Sequence, residues 1–142
     1  MTADPAALLR LATDIEALEE PDREMDARVA EAFGHKIEWR SARYTQEITP
    51  VIFWQTPHPY AGMREQCPLY TASVDAALSL MADVLPGYVC TCSTYGFASK
   101  MPIADVYREG HEGRAQGKAA TLPLAIVAAV LRAVAAREGS DA

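Results

Sequence analysis

The segment LPLAIVAAVLRAVAA, Leu122 to Ala136, constrains the fold more than any other part of the chain, because its only charged residue is Arg132. It is shorter than the ~20 residues a bilayer-spanning helix needs, so other protein must cover it. Leu124, Val127, Leu131 and Val134 form one stripe at helical spacing, while Ile126 and Val130 widen the apolar surface beyond it. A helix from Thr121, as its cap, to about Arg137 is therefore predicted to be buried broadly or to make an interface. Burial of the extra surface at ~25 cal/mol per Å² favours a symmetric homo-oligomer. The tail, residues 138–142, is expected to fray.

The remaining elements follow from caps and periodicity. Asp4-Pro5 is an N-cap and first-turn pair, and Leu8, Leu11, Ile15 and Leu18 recur behind it, which predicts a helix over about 5–19. Pro21 restarts the chain, Met25, Val29 and Phe33 mark a second helix, and Gly34 stops it, so residues 1–34 read as a helical hairpin. Ile37 to Trp54 is β-branched and aromatic, hence strands; Gln55 to Pro68, with its prolines and Gly62, reads as a long surface loop. Thr71 or Ser73 caps a third helix carrying Val74, Ala77, Leu78, Met81, Val84 and Leu85, ended by Pro86-Gly87. Tyr88–Thr94 and Lys100–Arg108 alternate as a β-hairpin, and Glu109–Ala120, holding three glycines among charged residues, reads as a flexible connection. The expected architecture is a single α/β (α+β) domain over 1–142, with an antiparallel sheet and two packing helices over 35–137 sandwiching it.

A formal net charge of −6 argues against a protein that coats DNA or RNA through many phosphate contacts. It leaves room for a small phosphate-bearing ligand held by two or three arginines. The N-terminal sequence has no basic n-region with an apolar core, and Cys67, Cys90 and Cys92 are an odd number, so no export signal, no membrane partner and a cytoplasmic location are expected.

Cys90 and Cys92 share one face of a strand with too short a loop for an easy disulfide, and with His111 they could hold a metal; four-ligand structural sites use other spacings, so core packing and no metal are preferred. His35, His58 and His111 lack an accompanying nucleophile motif or paired carboxylates, so no catalytic site is read and the chain is taken as a non-enzyme without a cofactor. In HEGRAQGKAATLPLA, glycines deliver Arg114 and Lys118 to a helix N-terminus at Thr121, which resembles an anion cradle without P-loop spacing. Its alternative is a solvated hinge before a core helix. Trp54, Tyr60, Tyr95 and Phe97 could stack on a base, and Arg40, Arg43 and Arg64 could add phosphate contacts, each against a reading as ordinary surface. Arg108, at a strand end, is expected to face solvent.

The order DREMDARVAEAFG, YTASVDAALSLMADVLPG, a strand pair and GRAQGKAATLPLAIVAAVLRAVAA resembles the phage ABA sandwich domain family of small phage and prophage proteins, over Asp22 to Ala136. The resemblance rests best on Tyr70, Ser73 and Asp75 before the middle helix and on Ala120, Thr121, Pro123 and Ala125 before the last; residues 37–68 match nothing in it. It implies a helix-sheet-helix architecture. In outline the chain is also similar to the Thoeris anti-defence sponges, which bind cyclic ADP-ribose-type signals and cyclic oligonucleotides without cleaving them, at subunit interfaces. That likeness implies a phage protein in the host cytoplasm that sequesters a nucleotide-derived signal, with Arg114 and Lys118 on phosphate and Tyr95 or Phe97 on a base. The alternative is a phage inhibitor that binds protein through Gln55–Pro68 and the hairpin tip; a small hydrolase ranks last.

Overall fold

The computed structural model describes residues 3–41, 46–93 and 101–140. Over these residues it is an α+β fold with four helices and two three-stranded antiparallel sheets. Helix α1, Pro5–Glu16, starts where Asp4 accepts a hydrogen bond from the Ala7 N–H, and α2, Arg23–Ala32, starts where Asp22 accepts from Glu24 and Met25. Gly34, at φ 89°, turns the chain out of α2 as a glycine cap can. The first sheet has the order β1 (Lys36–Ser41), β2 (Ile48–Phe53) and β3 (Arg64–Gln66). Helix α3, Val74–Val84, is capped by Ser73 and leads into the second sheet, β4 (Tyr88–Ser93), β5 (Ile103–Arg108) and β6 (Ala115–Lys118), and α4, Leu122–Ser140, follows.

Helix α4 is the centre. Every residue from Leu124 to Leu131 is fully buried. One side of α4 packs on β5 and β6, and α1 and α3 cover others. The closest approach is at Gly117, where an added Cβ would lie 2.0 Å from the Ala125 carbonyl oxygen and 2.8 Å from the Ala129 nitrogen. Only a residue without a side chain lets β6 lie so near a helix backbone. No helix among the described residues is long and apolar enough to cross a membrane.

Several expectations change. Ile126 and Val130 are fully buried within one chain, so the surface that suggested self-association is consumed internally. Helix α1 lies mainly along α4 and also touches α2, which packs on β1 and β2. The strands divide into two sheets, because the expected loop 55–68 contains β3, paired with β2, and the expected connection 109–120 contains β6, paired with β5. Thr71 does not cap α3. It is fully buried and its hydroxyl binds the backbone of Asp22.

Candidate functional site

The candidate site forms where β5 of the second sheet ends, beside the C-terminal half of α4. Strand β5 ends at Arg108, and the return to β6 is made by a turn in which Gly110 and Gly113 take φ values of 79° and 96°. These left-handed positions suit glycine and let the turn overhang the sheet. Beneath it lies a cleft of about 560 Å³ between Tyr88 on β4, Leu9 on α1, and Ala133 and Ala136 on α4. Its floor is apolar, and Leu9 is half exposed at the edge.

The walls are cationic. Arg108, Arg114, Arg132, Arg137 and His111 all line the cleft, with Glu112 the acidic residue among the lining groups, in a chain whose net charge is −6. Two of the arginines also hold the fold. Arg132 donates from Nη1 to Glu16 Oε2 at 2.7 Å and to the Gln116 carbonyl at 2.8 Å, while its Nη2 donates to Glu16 Oε1. Arg132's hydrogen bonds hold the Glu16 carboxyl below its ordinary pKa, against the opposing effect of burial, and raise the guanidinium's own. Arg137 donates to the Val84 carbonyl at 2.8 Å and pairs with Glu138. Arg108 and Arg114 have no carboxylate pair among the described residues. The Arg114 guanidinium lies over the Tyr107 ring, 4.3 Å from its centroid, which orients it without neutralising it. Two guanidinium groups without a carboxylate pair among the described residues, beside apolar side chains and Tyr88, can take an anionic group attached to a flat, weakly polar body.

Of the described residues expected at the site, Arg114 alone lines this cleft. Lys118 and Thr121 do not join it, because β6 separates them from Arg114. At about 3.3 Å per residue this strand carries the chain over 10 Å before α4 begins. Helix α4 then doubles back, so Arg114 meets its C-terminal half and not its N-terminus. The Lys118 backbone N–H donates to Glu16 Oε2, and the Thr121 hydroxyl oxygen is buried with no hydrogen-bond partner, which removes it as a capping group. The helix-N-terminus cradle is thereby corrected. Arg64 is on the first sheet, paired with Glu38 at 2.8 Å and stacked on Phe53. Trp54 is already stacked: His58 lies parallel to it at 4.0 Å and His35 meets its edge at 5.1 Å. Burial, partly offset by Glu65, keeps the His35 pKa below its ordinary value. Tyr95, Phe97 and Arg43 lie outside the described residues.

The sequence reading missed Tyr88, Arg108, Arg132 and Arg137. Arg132 had a visible signal, being the lone charge in an apolar helix. Arg108 had none, since its place beneath the turn depends on the glycines that fold Glu109–Arg114 back. Cys90 and Cys92, expected in the core, are half-buried and exposed respectively. No protein-family model matches the chain, and no curated protein or solved structure is significantly similar to it.

Proposed function

We propose that this protein captures a small, phosphate-bearing, nucleotide-type ligand in the cleft beneath the β5–β6 turn and holds it without chemical change. The observation that carries the reading is that Arg108 and Arg114, both without a carboxylate pair among the described residues, line one cleft of ligand size in an acidic chain. Phosphate oxygens accept charge-assisted hydrogen bonds from the two guanidinium groups, and a base lies against Tyr88 and the alanines of α4. Sequestration of a cyclic ADP-ribose-type or cyclic oligonucleotide signal, as in phage anti-defence sponges, is the specific form that agrees with the sequence resemblance.

The test is calorimetric titration with cyclic ADP-ribose isomers and cyclic dinucleotides, followed by chromatography of the recovered ligand. Binding of at least one and recovery of it intact are expected. Arg114→Ala should lose about 1.5–3 kcal/mol, at least roughly tenfold in affinity, and Arg108→Ala a similar amount. Arg40→Ala, on the exposed surface of the first sheet, is the control. Absence of heat with every nucleotide overturns the reading. A specific observation favours one alternative: Tyr60 and Met63, at the tip of the β2–β3 hairpin, are each 58% exposed, a surface suited to contact with another protein. Failure of every nucleotide would transfer the assignment there.

A further inference from the structure

Cys90 and Cys92 sit on β4, an edge strand of the second sheet. Their cross-strand partners are Val106 and Ala104, which face α4 and are buried, so both thiols lie on the helix-covered face. The cover thins along β4, where Cys90 is half-buried against the core and Cys92 is exposed. Residues two apart on a strand point the same way, and here the two sulfurs are 3.5 Å from each other.

We infer that Cys90 and Cys92 form a bidentate dithiolate site for a thiophilic divalent cation of tetrahedral preference, the zinc and cadmium class, with solvent completing the coordination. The sulfur separation carries this. With zinc–sulfur bonds of about 2.3 Å, sulfurs 3.5 Å apart subtend an angle of about 100° at the ion, close to the tetrahedral angle. A linear two-coordinate ion would need the sulfurs roughly 4.5 Å apart on opposite sides, so the site discriminates against that geometry. Oxidation is the harder alternative. Two residues along an extended strand have Cα atoms about 6.7 Å apart, the far end of what a disulfide spans, and closing the bond would bend β4 away from β5. Asp105, on the neighbouring strand, adds negative potential near Cys90. Each thiol that binds releases its proton to solvent as the metal–sulfur bond forms, with no change of oxidation state.

The experiment titrates the full chain, reduced with a phosphine and freed of metal, with Cd²⁺ alone, read by thiolate-to-cadmium ultraviolet absorption and by native mass spectrometry. One ion per chain is expected, and Cys92→Ser, a change at an exposed position, should weaken binding at least about tenfold. Alkylation mapping should show Cys90 and Cys92 protected by Cd²⁺ while the buried Cys67 is unaffected. No thiolate absorption, equal affinity in Cys92→Ser, or one ion shared between two chains would each overturn the site.

Discussion

The two sheets have the same strand number and the same antiparallel pairing, yet they are covered in different ways. The second lies against α4, whose alanines and the bare backbone of Gly117 bring helix and strand into direct contact. The first lies against α2, a short helix, and its cover stops near Ile52: Trp39 is 48% exposed and Ile48 63%. Its outer face is tied by side chains instead, with Arg64 bridging Glu38 and Phe53, and Lys36 above the same ring. Small residues permit close backbone packing, which concentrates stability; large residues beyond the reach of the cover contribute little to it. A half held this firmly can support a cleft at its rim with fixed geometry.

Mutations can break that contrast. Leu131→Ala, at a fully buried position of α4, should cost about 4 kcal/mol in urea unfolding through the cavity it leaves. Gly117→Ala should cost about 3 kcal/mol, because helix backbone and not a flexible side chain opposes the new methyl group. A loss under 1 kcal/mol would mean that β6 can move off α4. Glu16→Gln should cost about 1.5 kcal/mol by weakening the link between α1, β6 and Arg132. Because Arg132 holds the folded Glu16 pKa below its ordinary 4.5, this stabilisation is present above that value and is lost as pH falls through the lower folded one. The gap between native and Glu16→Gln unfolding midpoints should accordingly narrow as pH falls below 4.5. Trp39→Ser, on the first sheet, should change stability by about 0.5 kcal/mol or less; a cost above 2 kcal/mol would show that this face is as closely packed as the other.

In the sequence, Asp4 and Ser73 are legible as caps because that chemistry is local and needs no tertiary partner, and the all-apolar surface of α4 demanded burial whatever covered it. Strands β3 and β6 were unreadable for a physical reason. Arg-Glu-Gln and Ala-Gln-Gly-Lys carry no alternating apolar pattern, and they are extended because β2 and β5 supply their hydrogen-bond partners. Missing β6 displaced the site as well. Without that strand Arg114 falls beside the start of α4; with it, Arg114 lines a cleft with Arg137 of the C-terminal half of that helix. The cysteines misled in the opposite direction, because burial statistics describe average cysteines and not those on an edge strand.

Between the two sheets the chain passes through Cys67–Thr71, which has no regular structure, yet Asp26 and Arg23 of α2 secure it. The buried Asp26 carboxylate accepts from the Thr71 N–H at 2.7 Å and from Arg23, and Arg23 donates to the Cys67 and Pro68 carbonyls. A connector anchored at so many points cannot serve as a hinge. Its Thr71 amide should exchange with deuterium as slowly as those in the middle of α4, and one opening event should govern both, so that thermal or chemical disruption of either sheet takes the other with it.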